Sequence, residues 1–408
     1  MSLSSLIRIA GGSSRSAMKM QRLKNSIIKY FISSGAFTIA ELSEITNFSI
    51  PTVTKIINEL LEDEIIFDLG KVDTQGGRRP NTYGINPKSA FYMGVEVNRT
   101  SVTIAIQDLA NEIVRIKEGI PFVLVNSRDS LDNLCSLINK FVSSSNIAKS
   151  DIIGVCINLT GRINSKEGLS YNFFFFEEDS LSSIIESKIH IPVFLENDTR
   201  AMAFGEYKAG VVDKEQNVIF VNMSWGVGIG IISNGRLYYG KSGYSGEFGH
   251  SPVFDNNILC HCGKKGCLET EVSGWALERD FRDAINNGET SLILKKLSIE
   301  SITMEDVLNS VIEDEDVLAI DFISKIGEKT GRYLSILINI FNPELVVIGG
   351  AMAVTNDYLL FPVRASIKKY SLNLVSHDCE LKMSKLGGSA GVIGACFIVR
   401  ERLLDMLE

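Results

Sequence analysis

The sequence predicts an α/β protein in two parts: a winged helix-turn-helix segment and a larger body of alternating strands and helices. In residues 20–62, apolar residues recur with the roughly 3.6-residue period of amphipathic helices. From about residue 91, short β-rich runs alternate with helical ones. A chain of 408 residues is also too long for one hydrophobic core. We therefore expect an N-terminal domain at residues 1–88 and further domains after it.

The predicted N-terminal helices are defined by three apolar faces. Those faces comprise Ile27, Ile28, Phe31 and Ile32, then Ile39, Leu42 and Ile45, then Val53, Ile56, Ile57, Leu60 and Leu61. Ser49 is the expected N-cap of the third helix, with Pro51 in its first turn. A short helix, a tight turn and a second helix form a helix-turn-helix, whose second helix enters the major groove of DNA. The side chains expected to contact DNA there are Ser49, Thr52, Thr54 and Lys55.

A predicted β-hairpin, with strands at 65–67 and 82–85, follows these helices. Its Gly-Gly-Arg-Arg-Pro turn carries Arg78 and Arg79, which can enter a narrow A·T-rich minor groove. Residues 1–90 hold a net charge of +3 and the rest of the chain −11, which fits DNA contact by the first part only. A small helical bundle used for packing or dimerisation is the alternative for this segment.

The predicted body opens with a hairpin and continues with alternating elements. Its expected strands are 92–97, 101–106, 152–159, 192–195, 218–223, 228–232 and 344–348, and its expected helices are 128–144, 198–209, 317–341 and 389–406. Asn197 and Asp198 follow a strand and open a helix. A carboxylate in that position can accept a hydrogen bond from a sugar hydroxyl or act as a general base, although it could equally cap the helix.

Four candidate metal ligands lie in one short, glycine-rich stretch, with the spacing His250-x9-Cys260-x-Cys262-x4-Cys267. Three thiols and an imidazole can close a tetrahedral Zn²⁺ site, and the glycines let the backbone fold back so that the third thiol reaches the metal. His261 is the alternative nitrogen ligand, but it lies between two ligands and would have to point the same way as both. The sequence therefore predicts one structural zinc ion.

The composition is typical of a soluble globular protein, with 45% hydrophobic and 22% charged residues. No apolar run is long enough to span a bilayer, and Arg8, Arg15 and Lys19 interrupt the apolar run that a signal peptide needs. The 7 cysteines are odd in number and clustered, unlike a disulfide framework. We therefore expect a cytoplasmic protein without a membrane partner.

The loop that carries the cysteines resembles the signature of the ROK family (repressors, open reading frames and sugar kinases). The resemblance rests on Glu247-x-Gly249-His250, the Cys-x-Cys-Gly-x-x-Gly-Cys run and Leu268-Glu269, and it extends from about residue 20 onward. It implies a two-lobed, actin-like (ribonuclease H-like) ATPase-type fold that binds sugar. In this chain it implies a first lobe at 89–197, a second lobe with the zinc loop at 198–388, and a C-terminal helix at 389–408 that returns to the first lobe.

The resemblance also implies which residues bind the sugar. Asn197 and Asp198 match the family's Asn-Asp pair, whose aspartate is the catalytic base in the kinases. The other implied sugar ligands are Glu247, His250 and Glu269, with Gly161 and Arg162 from a glycine-rich turn. Zinc would fix the geometry of the ligands around its loop.

The two phosphate-binding motifs of the family's kinases are altered in this chain. The first, Asp-x-Gly-Gly-Thr, corresponds to Glu96-Val97-Asn98-Arg99-Thr100, so side chains replace the glycines that let backbone amides approach phosphate. The second, Gly-Thr-Gly-x-Gly, has Trp225 in place of threonine, which adds bulk and removes a hydroxyl. Gly349-Gly350 resembles the adenosine-side turn, but a strand-to-helix turn explains it equally well. We therefore expect no kinase activity.

These patterns together predict a sugar-responsive transcriptional regulator of the ROK type, in its repressor branch. The expected partners are operator DNA, a sugar or sugar phosphate effector, and further copies of the chain in a homodimer or homotetramer. Two alternatives stay open. One is an ATP-dependent hexose or amino-sugar kinase that carries a DNA-binding segment, and the other is a sensor governed by a protein partner that docks on the body.

Overall fold

The computed structural model describes residues 15–71, 80–176 and 179–407. The predicted DNA contacts Arg78 and Arg79 lie outside the described residues. The chain divides into two compact units. Unit 1 comprises Met1–Glu196 and Ala395–Glu408, and unit 2 comprises Asn197–Gly394.

Within its described residues, the N-terminal segment of unit 1 contains three helices and a small sheet. The elements are α1 (Arg15–Ser34), β1 (Phe37–Thr38), α2 (Ile39–Thr46), α3 (Ile50–Glu62), β2 (Ile66–Lys71) and β3 (Asn81–Ile85). β3 pairs antiparallel with both neighbours, which gives the order β1-β3-β2. The three predicted helices and the two predicted hairpin strands are therefore confirmed.

Local capping signals set the starts of α2 and α3. Thr38 opens α2 with a capping box: its hydroxyl accepts from the Glu41 amide, and the Glu41 carboxylate accepts from the Thr38 amide at 2.7 Å. Ser49 is the N-cap residue of α3, as predicted, with Pro51 in the first turn. The Ser49 hydroxyl makes no capping bond, however, and lies 2.8 Å from the Thr52 hydroxyl.

The apolar faces of these helices are buried largely as the sequence predicts. Fully buried side chains are Ile27, Ile28, Phe31, Ile32, Leu42, Val53, Ile56, Ile57 and Leu60. Ile45 is an exception, because it lies in the last turn of the short helix α2 and is 42% exposed. Leu61 and Ile39 are half-buried.

The rest of unit 1 is built on a five-stranded sheet with the order β10-β7-β4-β5-β6. β4, β5 and β6 pair antiparallel in succession, whereas β4 and β7 pair parallel. The core of this unit combines these strands with two helices. Its elements are β4 (Phe91–Val97), β5 (Ser101–Asp108), β6 (Ile113–Pro121), α4 (Arg128–Ser143), β7 (Ile152–Leu159), β8 (Ile163–Asn164), β9 (Leu169–Ser170), α5 (Leu181–Ile189) and β10 (Val193–Asn197).

Unit 2 has its own five-stranded sheet, with the order β13-β12-β11-β14-β15. β11 pairs antiparallel with β12 and parallel with β14, which pairs parallel with β15. A second core packs against one face of this sheet. Its elements are α6 (Asp198–Ala209), β11 (Val218–Met223), β12 (Val227–Ser233), β13 (Arg236–Leu237), α7 (Glu269–Val272), α8 (Gly274–Asn286), α9 (Met304–Glu313), α10 (Val317–Phe341), β14 (Leu345–Gly349), α11 (Asp357–Tyr370), α12 (Asn373–His377) and β15 (Glu380–Met383).

The C-terminal helix α13 (Ala390–Met406) belongs to both units. Residues 390–394 lie in unit 2, and the helix continues from Ala395 in unit 1. Its existence confirms the helix that the sequence predicts at 389–406. Among the described helices, none combines the length and the apolar character that crossing a membrane requires.

Candidate metal centre and ligand site

A glycine-rich loop in unit 2 positions the candidate metal ligands. It starts with a short 3-10 helix, Phe248–His250, and a β-bridge between Pro252 and Cys267 closes it. Gly266 has a φ of 72°, and a Cβ at this position would overlap the carbonyl oxygen of Phe254. Only glycine fits such a turn without strain. The backbone therefore folds back and returns the last thiol to the first, as the sequence predicts.

His250, Cys260, Cys262 and Cys267 form one compact cluster, whose ligand atoms all lie within 4.8 Å of one another. His250 Nδ1 lies 3.5 Å from Cys260 Sγ, and Cys262 Sγ lies 3.6 Å from Cys267 Sγ. Tetrahedral ligands at ordinary Zn–S and Zn–N lengths would be separated by about 3.5–3.8 Å. The four predicted residues therefore form a cluster that could hold a tetrahedrally coordinated metal ion.

The three thiols of the cluster differ in their acidity. Burial raises the pKa of Cys260 and of Cys267 above the ordinary value for a thiol. Burial also acts against the Cys262 thiolate, but a backbone hydrogen bond at Lys264 and the neighbouring thiols outweigh it and lower the pKa of Cys262. The thiolate is the form that binds metal, so binding a cation here would release protons.

His250 directs its two ring nitrogens to different neighbours. Nδ1 faces the cysteine cluster, whereas Nε2 lies 3.7 Å from Glu247 Oε2. Both side chains are partly exposed. A metal ion on Nδ1 would hold the ring so that Nε2, beside the Glu247 carboxylate, faces outward. His261, the alternative ligand, lies outside the cluster with its ring edge-on to Trp275 at 5.1 Å between centroids.

Glu269 joins the metal loop to strand β12. It is the first residue of α7, and only 7% of it is exposed. Its Oε2 accepts a hydrogen bond from the Val227 amide at 3.0 Å, and its Oε1 lies 3.7 Å from Cys260 Sγ. A Cβ at Gly226 would lie 2.7 Å from Oε2, so this glycine makes room for the carboxylate. The Glu269 carboxylate is therefore a structural link, whatever else it contacts.

Asn197 and Asp198 lie at the start of α6, as predicted, and they make different hydrogen bonds. Asn197 is the N-cap, and its Oδ1 accepts from the Arg200 amide at 3.0 Å. Asp198 Oδ1 accepts from the Thr199 amide at 2.7 Å and from Asn197 Nδ2 at 2.9 Å. Arg200 is buried and donates to the Gly243 carbonyl oxygen at 2.7 Å. The bonds from Thr199 and Asn197 fix the orientation of the Asp198 carboxylate.

A chain of polar contacts that the sequence did not predict runs from this helix start into the β11–β12 hairpin. Asn222 Nδ2 donates to the Thr199 hydroxyl at 2.9 Å, and Asn222 Oδ1 accepts from the Ser224 hydroxyl at 2.7 Å. The Ser224 oxygen in turn accepts from the Ala351 amide at 3.0 Å, in the turn after β14. In the sequence, these contacts are indicated only by the polar residue Asn222 near the end of β11. Its presence does not identify hydrogen-bond partners that are distant along the chain.

The turn of the β11–β12 hairpin is occupied by Trp225. The carbonyl oxygens of Ser224 and Trp225 accept from the amides of Gly274 and Trp275, at 2.8 and 3.2 Å. The two indoles line a cavity of about 390 Å³ in unit 2. The other residues that line it are His261, Glu278, Arg279, Arg282, Asp283 and Asn286. The backbone of the hairpin turn is therefore bonded to the start of α8, and its indole lines the cavity.

Unit 1 carries the remaining residues that the resemblance singled out for sugar or phosphate. Asn98, Arg99 and Thr100 form an exposed turn between β4 and β5. Gly161 has a φ of 97°, and the Arg162 amide donates to Asn172 Oδ1 at 2.9 Å. The predicted sugar ligands Asn197, Asp198, Glu247, His250 and Glu269 all belong to unit 2, whereas Gly161 and Arg162 belong to unit 1.

The predicted DNA contacts of α3 lie at its first turns. Ser49 and Lys55 are exposed, and Thr52 and Thr54 are half-buried. The Thr54 hydroxyl donates to the Ile50 carbonyl oxygen at 2.8 Å, so its donor is engaged within the helix. Ser49 and Lys55 therefore offer the more accessible polar groups on this part of the helix, whereas Thr52 is half-buried and its hydroxyl lies 2.8 Å from that of Ser49.

This chain is similar to proteins of one known family, and its relatives in that family include both repressors and a sugar kinase. The sequence pattern of the ROK family matches residues 92–402. The chain is 28% identical over 387 residues to the xylose repressor of Bacillus subtilis, covering 93% of this chain and 95% of that protein. It is 31% identical over 320 residues to a glucokinase of Halalkalibacterium halodurans, covering 76% of this chain and 96% of the glucokinase.

One solved structure is similar over almost the whole chain. It is a ROK family transcriptional regulator described as a homolog of the Escherichia coli MLC protein, with a TM-score of 0.79 and 26% identity. The match covers 95% of this chain and 98% of the other. Repressor-type relatives therefore match nearly the full length, whereas the glucokinase leaves about a quarter of the chain unmatched.

Proposed function

The chain belongs to the ROK family, and we propose that within it the protein is a sugar-responsive, DNA-binding transcriptional regulator of the repressor type. The observation that carries this proposal is the helix-turn-helix segment with its β2–β3 hairpin, which precedes the ROK-matched residues 92–402. The full-length likeness to the xylose repressor supports it, because the glucokinase relative matches only 76% of the chain. We assign residues 1–88 to DNA binding and 89–197, 198–388 and 389–408 to the ROK body, in a cytoplasmic protein.

The metal that we assign to the cysteine cluster is Zn²⁺. His250, Cys260, Cys262 and Cys267 would hold it, and their donor set and spacing support this choice. Four protein ligands leave no open coordination position, so the ion's contribution is to fix the loop. The residues that benefit are Glu247, next to His250 Nε2, and Glu269, next to Cys260.

The effector that we propose is a sugar or sugar phosphate, bound by polar side chains of unit 2. Asp198 and Glu247 would accept hydrogen bonds from sugar hydroxyls, and His250 Nε2 and Asn197 could donate or accept. Glu269 would add contacts through Oε1, and Gly161 and Arg162 remain the further sugar ligands that the family resemblance implies. The oriented carboxylate of Asp198 supports this assignment, because charged acceptors make the stronger hydrogen bonds.

A second candidate function is a sugar kinase, which the glucokinase relative and the presence of Asp198 favour. We place it second because Asn98 and Arg99 stand where kinases of the family carry glycines, and Trp225 stands in place of threonine. Asp198 would then be a hydrogen-bonding ligand and not a general base. A coupled ATP assay across hexoses and N-acetylated amino sugars separates the two functions, because only a kinase consumes ATP.

For DNA, we propose that a homodimer, or a tetramer built from two dimers, places one α3 helix per subunit in a major groove. Two-fold symmetry then requires a palindromic operator whose half-sites are separated by whole helical turns of about 10.5 bp. Ser49, Thr52, Thr54 and Lys55 are the proposed contacts of α3, and the wing arginines are proposed to add an A·T preference.

The experiment that tests the proposed function is selection of genomic DNA fragments by the purified full chain, followed by footprinting with and without sugars. The sugars are pentoses, hexoses, N-acetylated hexosamines and their phosphates, ranked first by the rise in melting temperature each causes. We expect one palindromic family of fragments and a sugar that weakens its binding. Enrichment of no fragment would refute the regulator, whereas binding that Arg78→Ala with Arg79→Ala leaves intact would refute only the wing assignment.

A further inference from the structure

The C-terminal helix α13 packs closely on the helix that begins with Asp198. A Cβ at Gly205 of α6 would overlap the carbonyl oxygen of Ala390, and a Cβ at Gly394 would overlap that of Ala201. Both contacts lie within unit 2. The two backbones touch with no side chain between them, so a displacement of α6 must displace the start of α13 as well.

The other end of α13 holds the first helix of the DNA-binding segment. Arg400 Nη2 donates to the Ile32 carbonyl oxygen at 3.0 Å, within unit 1. Ile32 lies in the last turn of α1, where carbonyl oxygens have no partner within the helix. A guanidinium there caps the helix and carries the charge that its C-terminal end favours. Arg400 is only 12% exposed, so this contact is largely shielded from water.

Helix α1 is in turn paired with the helix proposed to enter the major groove. Lys24 Nζ lies 3.5 Å from a Glu59 oxygen and 3.4 Å from an Asp63 oxygen, at the C-terminal end of α3. The Lys24 side chain is mostly buried, and the ion pair contributes to a pKa of Asp63 below the ordinary value, against the opposing effect of burial. An ion pair that is mostly buried on the Lys24 side therefore joins α1 to α3, and a movement of α1 would act on α3 through it.

We propose that α13 is the lever by which the ligand site regulates DNA binding, and that Arg400 is the positioning residue that passes its movement to α1. Between Gly394 and Arg400 the lever is one uninterrupted helix, about 9 Å long at the usual rise per residue. Rigid elements that contact both ends of a path are the physical means of such coupling. This inference rests on the proposed function, because it assigns a route to the sugar response.

The test compares the full chain with Arg400→Met and with the matched control Arg402→Met. Arg402 lies on the same helix, and it has no hydrogen bond to the N-terminal segment among the described residues. The quantity measured is the ratio of operator dissociation constants with and without the best sugar. Allosteric ratios are typically about 5–150-fold. We expect the wild-type ratio to persist in Arg402→Met and to fall toward unity in Arg400→Met, whose melting temperature still rises with the sugar.

Two results would overturn the lever, and they are distinguishable from failure of the proposed function. An Arg400→Met protein that keeps the wild-type ratio refutes the lever and leaves the regulator standing. Hydrogen exchange provides a readout that needs neither sugar nor operator: amides of residues 28–36 should exchange faster in Arg400→Met only. Equal exchange in all three proteins refutes the cap. A wild-type chain that selects no DNA refutes the regulator and, with it, the lever.

Discussion

Two regions of unit 2 differ in how closely they match the motifs of the ROK family. One is the start of α6 together with the metal loop, and the other is the β11–β12 hairpin. The start of α6 and the metal loop hold their polar side chains in defined bonds, with Asp198 Oδ1 bonded to two donors and Glu269 bonded to the Val227 amide. The β11–β12 hairpin carries Trp225, where the resemblance to the family's kinases predicts a threonine. Yet this hairpin is bonded to both parts of the first region, through Asn222 and through Glu269.

The difference shows that the β11–β12 hairpin has a structural role that does not depend on the side chain at position 225. Its Ser224 hydroxyl bonds Asn222 and its Val227 amide bonds Glu269, so it braces residues at and beside the proposed ligand site. We therefore expect sugar binding and kinase chemistry to depend on different side chains of this fold, because function depends on particular side chains and not on the fold. Four substitutions test this division, and they follow in order of expected effect.

The largest effect is expected from Cys262→Ser. A closed site that loses one of four ligands should lose its metal, and the loop that positions Glu247 and Glu269 should lose its shape. Metal analysis should give about one zinc per wild-type chain and much less in the variant. Cys379→Ser, which changes a half-buried thiol outside the cluster, is the control. Full metal content and full sugar binding in Cys262→Ser would contradict the zinc assignment.

Next in size is Asp198→Asn, which keeps the shape of the side chain and removes its charge. Loss of a charged hydrogen bond to the sugar should cost about 1.5–3 kcal/mol of binding free energy, or roughly 10–150-fold in affinity. Calorimetry with the best sugar measures this cost. Asp213→Asn changes an exposed carboxylate of the same unit and should bind sugar as the wild type does. An Asp198→Asn protein with unchanged affinity would place the sugar elsewhere.

A smaller effect is expected from Ser224→Ala, which probes the bracing role of the hairpin. The change removes the hydroxyl between Asn222 Oδ1 and the Ala351 amide, so the free energy of unfolding should fall by about 1 kcal/mol. Urea unfolding gives this quantity, and the sugar affinity should fall less than in Asp198→Asn. Ser376→Ala, which removes one bond within the short helix α12, is the matched control. Equal stability of Ser224→Ala and wild type would mean that the hairpin braces nothing.

The smallest effect is expected from Trp225→Thr, which introduces the side chain that the resemblance predicts for a kinase. Because the indole lines a cavity and the hairpin backbone carries the bracing bonds, sugar affinity should stay within about twofold of wild type, a difference of about 0.4 kcal/mol. Neither protein should consume ATP in a coupled assay, since Asn98 and Arg99 remain in the other phosphate motif. Turnover by the wild type would move the kinase to first place.

Features that depend on neighbours in the chain could be predicted from the sequence by itself. The metal cluster is one, because four ligands within 18 positions and the glycines between them restrict the loop to few shapes. The buried face of α3 is another, because helical periodicity places Val53, Ile56 and Leu60 on one side. The start of α6 at Asn197 and Asp198 followed from a strand that ends in a capping residue.

Only the tertiary structure decided which distant groups meet. Glu269 bonds the Val227 amide 42 positions away, and Arg400 bonds the Ile32 carbonyl 368 positions away. Periodicity and capping rules act over a turn or two of chain, whereas these bonds depend on how whole helices and strands pack. The sequence shows which polar groups will need a hydrogen-bond partner when buried, but the identity of that partner depends on the packed fold.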